Sequence, residues 1–252
     1  MFSIDLNCDL GEIEGSEGET LDEQLMRYVS SINVACGGHA GGPDRIRTVV
    51  ERARSLNLAI GAHPGYADRV NFGRIVVSMS LQEIYDLVSQ QIQVVSQIVK
   101  EFGGRLHHVK PHGALYNLAV TSSETAHAIA EAVRAVDPQC QLVGLSGSCL
   151  TDAALAVGLQ AVHEVFADRN YLANGSLVPR GQPNAVLHDA AEIAARAASI
   201  VETGCVPAID GTRLKRKCDS LCIHSDTPDA IVIATAIRQV FDERRIGIRA
   251  AN

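Results

Sequence analysis

The residues in this chain best suited to chemistry gather in a few short segments. Near the start, Asp5-Leu6-Asn7-Cys8-Asp9 alternates polar and apolar positions. In an extended strand this puts Asp5, Asn7 and Asp9 on one face, with Leu6 and Cys8 on the other. A buried strand of a parallel sheet ordinarily carries Val, Ile or Leu, because an unpaired buried carboxylate is costly. Two carboxylates and an amide on one face therefore point to acid–base or ligand-binding work, with a solvated edge or a structural ion pair as the plainer alternative.

Histidines recur at comparable places, in Cys36-Gly37-Gly38-His39-Ala40-Gly41-Gly42-Pro43, Gly61-Ala62-His63-Pro64, His108-Val109-Lys110-Pro111-His112-Gly113 and Cys222-Ile223-His224-Ser225-Asp226. A lone histidine is more often structural than functional. Four at matching positions in the pattern of β-like runs, His39, His63, His112 and His224, are harder to explain that way. Lys110 is one of only four lysines and falls within a strand-like run, where its ammonium needs a partner such as Asp5 or Asp9. The glycines around His39 allow close backbone approach to a ligand, and Pro43 suits the first turn of a helix whose start can hold an anion. Asp168, Arg169 and Arg180 are candidates for gripping an anionic substrate, with the Asp orienting a guanidinium fork. Asp226 beside His224 can fix its tautomer, or both can bind a metal.

These segments must be positioned by a repeating βα framework. Strands are expected near Ser3–Cys8, Ser31–Ala35, Leu58–Gly61, Leu106–Lys110, Gln141–Leu145, Ala161–Phe166, Val206–Ile209 and Ser220–Ile223. The clearest helix runs from Leu81 to Phe102, where apolar residues recur at three- and four-residue steps before Gly103-Gly104. Others are expected over Pro43–Ser55, Ser123–Val136, Ala185–Glu202 and Pro228–Glu243. No linker or internal repeat divides the sequence, so residues 1–252 are expected to form one α/β barrel domain, with an open doubly wound sheet as the alternative. Both place ligands at the carboxyl ends of the strands.

Composition narrows the function classes. Apolar residues make up 46% and charged residues 20%, ordinary values for a folded domain. The net charge of -7 argues against a general nucleic-acid surface. The seven cysteines are scattered without a Cys-x-x-Cys pair, so reduced thiols are expected. No charged-then-apolar leader opens the sequence and no apolar run reaches membrane-spanning length, so a cytoplasmic location without membrane association is expected.

Together the motifs resemble the LamB/YcsF family. The resemblance spans nearly the whole chain and rests on Asp5-Leu6-Asn7-Cys8-Asp9-Leu10-Gly11-Glu12, Asn33-Val34-Ala35-Cys36-Gly37, Gly61-Ala62-His63-Pro64, Asn71-Phe72-Gly73-Arg74, residues 109–117, Val165-Phe166-Ala167-Asp168-Arg169 and Leu177-Val178-Pro179-Arg180. It implies a TIM-like (β/α) barrel related to the glycoside hydrolase and polysaccharide deacetylase superfamily, a seven-stranded form being within that expectation. It also implies ATP-dependent opening of the lactam 5-oxo-L-proline to L-glutamate, with the B and C subunits of a 5-oxoprolinase as partners. Three places depart from the family's usual pattern: Gly38 and Gly42 in the glycine-rich turn, where Phe and Asp are common, Ala67 in place of Pro, and Ser225 in place of Gly.

On this reading Asp5 or Asp9 is the general base, Lys110 and a histidine stabilise developing negative charge, and Arg169 or Arg180 holds the substrate carboxylate. Asp5, Asn7 and Asp9 would form one wall of a rim shared with His39, His63, Lys110, His112, Asp168, Arg169 and His224. No Gly-x-x-x-x-Gly-Lys-Ser/Thr run is present, so ATP, with its Mg²⁺, must be held differently or by a partner. Two alternatives stand beside it: a metal-dependent deacetylase or amidase using Asp9, His39, His63 and His224 as ligands, and a non-catalytic lactam-binding subunit.

Overall fold

The computed structural model describes residues 2–252. The chain runs β1 (Ser3–Leu10), α1 (Gly15–Leu25), β2 (Ser31–Ala35), α2 (Pro43–Ser55), β3 (Ala59–His63), α3 (Leu81–Glu101), β4 (His108–Val109), α4 (Gly113–Thr121), α5 (Ser123–Val136) and β5 (Gln141–Leu145). It continues through α6 (Cys149–Ala156), β6 (Gln160–Phe166), α7 (Ala190–Thr203), β7 (Cys205–Pro207), β8 (Arg213–Lys215), β9 (Ser220–His224), α8 (Ala230–Glu243) and β10 (Gly247–Ile248). Strands β1 to β6 pair in sequence order, all parallel, and β9 joins β6 to β1. The result is a closed seven-stranded parallel barrel, which leaves no open edge along these strands. β10 adds a short parallel pairing to the start of β1.

The expected strand at Val206–Ile209 is not a barrel stave. Residues Cys205–Pro207 instead pair antiparallel with Arg213–Lys215 in a separate hairpin. Pro207 has no N–H to give a central strand, and Gly211, with φ of 88°, supplies the turn. The helix expected from Ala185 begins at Ala190, because the Asp189 side chain accepts the Glu192 N–H as its cap and Val186 bridges to Arg169. Helices α1, α4 and α6 are additional to the expected set. The long helix α3 matches its periodicity and opens with a capping box between Ser80 and Glu83.

Alternation along the strands separates two environments. Outward residues such as Leu6, Cys8, Leu10, Ile32, Val34, Ile60 and Val109 join one apolar cluster with Val49 and Val50 of α2 and Val88, Ile92 and Val95 of α3. Burial of each such aliphatic side chain contributes about 1.5–3 kcal/mol. The barrel interior is instead filled largely by polar side chains. Gly61 makes room for one of them: a Cβ there would lie 2.2 Å from His108 Nε2.

Candidate active site

A cleft of about 480 Å³ opens at the carboxyl ends of the barrel strands. Its floor is built on register: Asp9 of β1 lies opposite Asn33 of β2 and His224 of β9, while His63 ends β3 and Lys110 follows β4. Each of these residues is delivered by a strand end, where the barrel's rigid hydrogen bonding gives way to loops.

Lys110 Nζ lies 3.0 Å from Asp9 Oδ1, 2.9 Å from Glu164 Oε1, 3.2 Å from Asn7 Oδ1 and 3.1 Å from Cys222 Sγ. Burial works against its ammonium form, but Asp9, with Cys222 and Glu164, overcomes that and raises its pKa well above the usual lysine value. Asn33 Nδ2 also donates to Asp9 Oδ1, at 2.7 Å, and to Asn7 Oδ1. Asn7 Nδ2 in turn donates to Glu164 Oε1 and Ser220 Oγ, and Tyr116 donates to Glu164 Oε2 at 2.9 Å. Asp9 is thus held by one oxygen, while Oδ2 faces His63 Nε2 at 3.5 Å. Burial would raise the Asp9 carboxyl, but His63 and Lys110 bring it far below the ordinary carboxylate range.

Beside this floor, Glu12 Oε1 lies 3.1 Å from His39 Nε2 and 3.3 Å from His112 Nδ1. His112 Nδ1 is 3.0 Å from His63 Nε2, and the His39 ring stacks on His112. These four side chains form a compact buried group of metal-ligating type. Burial disfavours the Glu12 carboxylate, yet its bonds to His112 and His39 bring its pKa below the usual range. His63 is lowered to about 3, chiefly by burial, with Asp9 opposing the shift. Gly73 permits the arrangement: its φ is 61°, and a Cβ would stand 2.8 Å from His39 Cβ and 3.0 Å from His112 Cδ2.

On the opposite wall His224 Nδ1 pairs with Asp168 Oδ2 at 2.8 Å. Burial opposes ionisation of Asp168, but His224 lowers its pKa. Asp226, the expected partner of His224, instead contacts Arg74, and Asp168 does not orient the arginines. Arg169 is fastened to loop backbone, donating to Val178 O at 2.7 Å and Ala185 O at 3.3 Å. Arg74, Arg169 and Arg180 all line the cleft.

Of the residues singled out in the sequence, Asp9, His63, Lys110, His112, Arg169, Arg180, His224 and Asp226 line the cleft. Asp5, Asn7, His39 and Asp168 do not. Asn7 and His39 sit beneath the lining and bond to residues within it, and Asp168 stands behind His224. Asp5 is at the other end of the barrel, where Ser30, Ser31 and Ser220 donate to its carboxylate. The turn from Gly37 to Gly42 also lies outside the lining, and two of its carbonyls, those of Gly37 and Gly41, accept from Arg69. The metal set Asp9, His39, His63 and His224 does not converge, because His224 groups with Asp9 and Cys222, apart from His39 and His63.

Three further residues, Glu164, Glu12 and Arg74, belong to the site without having been singled out by the sequence, and a fourth, His108, lies deeper in the barrel and bonds to Asn33. Glu164 carries the same signal as Asp9, a carboxylate inside an alternating strand, and His108 lies two positions before Lys110 on the same face. Glu12 lies beyond β1, past the turn at Gly11, where alternation no longer reports direction. Arg74 sits in a loop and has no periodic signal.

The LamB/YcsF family model matches residues 4–252. The protein described as the A subunit of 5-oxoprolinase in Bordetella parapertussis is 45% identical over 249 residues, covering 99% of each chain. Its namesake in Limosilactobacillus fermentum is 46% identical over 250 residues, covering 99% of this chain and 100% of its own. The crystal structure of the lactam utilization protein from Thermus thermophilus superposes with a TM-score of 0.93 at 42% identity, covering 99% of this chain and 100% of that one. With its motifs, its barrel and these near-complete matches in agreement, the chain belongs to the LamB/YcsF family.

Proposed function

We propose that this chain is the A component of an ATP-dependent 5-oxoprolinase, which opens 5-oxo-L-proline to L-glutamate in concert with B and C subunits. The observation that carries this reading is the match, over 99% of both chains, to a relative described as the A component of 5-oxoprolinase. The cleft suits a small polar substrate, since its volume falls within the roughly 300–1,000 Å³ usual for such sites. The chain acts as one barrel domain in the cytoplasm. Among the described residues no helix is long and apolar enough to cross a membrane.

A lactam carbonyl is a poor electrophile, and ATP improves it by phosphorylating the amide oxygen with release of ADP. Water then adds to the activated carbon and, made acidic by that new bond, loses its proton to Asp9 Oδ2, the oxygen left open toward the cleft, whose lowered pKa keeps it ionised but makes it a weak base. The C–N bond breaks as the ring nitrogen takes up a proton, and a second water frees phosphate from the acyl phosphate to give L-glutamate. Lys110 has its protons committed to Asp9, Glu164, Cys222 and Asn7, so its role is to hold Asp9 ionised and oriented. Arg169, Arg180 and Arg74 are the groups placed to receive the substrate carboxylate or phosphoryl oxygens. His63 and His112 form the adjoining wall, with His39 behind them, Asn7 beneath Lys110 and Asp168 fixing His224. Asp5, at the far end of the barrel, has no part in this chemistry.

Reconstitution tests the reading. The isolated chain with 5-oxoproline and ATP should give little glutamate, and addition of the B and C subunits should give turnover. Equal inactivity of both preparations, with correctly folded subunits, would sink it.

A further inference from the structure

Backbone carbonyls fix both tautomers at the centre of the histidine cluster. His63 Nδ1 lies 2.7 Å from the Lys110 carbonyl, and His112 Nε2 lies 2.8 Å from the Phe72 carbonyl. A carbonyl only accepts, so each of these nitrogens carries the proton. The other nitrogens, His63 Nε2 and His112 Nδ1, therefore present lone pairs, and they face one another at 3.0 Å. Glu12 Oε1, also an acceptor, completes a triangle at 3.3 Å from His112 Nδ1 and 3.9 Å from His63 Nε2.

Three buried lone pairs directed at one point need a positive charge between them. His39 does not supply it. Its Nε2 donates to Glu12, while its buried Nδ1 has no partner, so it orients Glu12 from behind. Charge balance points the same way. Asp9, Glu12 and Glu164 are all buried, and among the described residues Lys110 is the one lysine or arginine that contacts any of them. Two negative charges are left over. Two sides of the triangle, 3.0 and 3.3 Å, already have the right size, because ligands about 2.0–2.2 Å from a metal stand about 3.0–3.5 Å apart in tetrahedral or octahedral geometry, and the third, 3.9 Å from Glu12 to His63, must close by a few tenths of an ångström on binding.

We infer that Glu12, His63 and His112 are the protein ligands of a divalent transition-metal cation at the cleft floor, with His39 as the positioning residue that aims Glu12. Two imidazoles and one carboxylate match the nitrogen and oxygen preference of such ions, and three protein ligands leave coordination positions open. The open side adjoins Asp9 Oδ2, which lies 3.5 Å from His63 Nε2. The site stands on this geometry alone and does not depend on the lactam reading.

The test uses the full chain, stripped with a chelator and titrated with Zn²⁺ and Co²⁺ as probes. One equivalent per chain should bind, and Co²⁺ should give visible absorption of a nitrogen–oxygen site. His63→Gln and His112→Gln should each lower Zn²⁺ affinity at least about 100-fold. Glu12→Gln supplies an amide that can donate to the facing imidazoles. Its metal-free form should therefore melt at or above the metal-free wild type while losing Zn²⁺ affinity to the same extent, which separates ligation from folding. Absence of uptake of either ion at micromolar concentration would overturn the inference and leave a shared proton as the bridge between His63 and His112. Uptake unchanged in the Glu12 variant would overturn it as well. Metal binding by a chain whose reconstituted complex fails to open 5-oxoproline would remove the proposed reaction and leave the metal site standing.

Discussion

Lys110 and Asp9 form a buried ion pair, 3.0 Å from Nζ to Oδ1, and that contact makes the two carboxylate oxygens unequal. Oδ1 is held by Lys110 and Asn33, whereas Oδ2 has only the weak Cys222 thiol within 4.0 Å as a donor. Both residues sit on the rigid rim of the barrel. The open oxygen is therefore aimed by strand register and by the pair, without any motion of a loop.

Removing the cation should be costly. Lys110→Met leaves the Asp9 and Glu164 carboxylates buried without their shared ammonium, and loss of one partner of a buried pair typically costs about 3–5 kcal/mol. Urea denaturation should show a lower midpoint with an unchanged slope. A midpoint equal to wild type would mean that Asp9 and Glu164 do not depend on Lys110.

Asp9→Asn is nearly isosteric and keeps an oxygen for Lys110, but it removes the proposed base. Turnover by the reconstituted complex should fall about 10²- to 10⁴-fold, the usual worth of a general base. Calorimetric affinity for 5-oxoproline should stay near wild type. If turnover survives within a factor of two, another group takes the proton from water.

A pH effect on stability follows from His108, remote from the cleft opening. Burial, with His107 and Lys110 adding to it, pushes its pKa well below the ordinary histidine value of 6.5. Its Nε2 donates to Asn33 Oδ1 at 2.8 Å, and burial favours the neutral ring in the fold. A histidine depressed in the folded state is protonated more readily when unfolded. Its stabilising contribution is complete above about pH 6.5 and is lost as the pH falls toward the folded value, at about 1.4 kcal/mol per pH unit. Proton NMR should find the His108 ring untitrated from pH 7.5 to 5.5, and urea midpoints should fall over the same interval. An ordinary titration near 6.5 would contradict the assignment.

The parts of this site that are legible in the sequence are those governed by short-range periodicity. Alternation puts Asp5, Asn7 and Asp9 on one face, and all three do point into the barrel. It cannot say that Asp5 and Asp9 serve different ends, because four residues along a strand span about 13 Å. Same face and same site are separate properties. The pairing of His224 with Asp168, across 56 residues, depends on strand neighbours that only closure of the barrel creates. Glu12 is hidden for a different reason, since the turn at Gly11 breaks the period that would have shown its direction. The expected strand at Val206 rests on local apolar content, and Pro207 with the following turn diverts it into a hairpin.

Gly42 offers a test of the departure from the family's usual Asp. It is the N-cap of α2 in extended backbone, with φ of -166°, and it makes no side-chain cap bond. A Cβ there would meet nothing within 4 Å, and the residue does not line the cleft. An aspartate at this position would accept a hydrogen bond from the first helical turn and favour the positive end of the helix. Gly42→Asp should therefore raise stability by a few tenths of a kcal/mol, because glycine is only slightly poorer than aspartate at an N-cap. Both kcat and KM of the reconstituted complex should be unchanged, as should calorimetric binding of 5-oxoproline. A gain in stability with constant affinity assigns the usual Asp to capping. A clear change in affinity would instead place residue 42 at the substrate, and the cleft would have to extend past Glu12 to the start of α2.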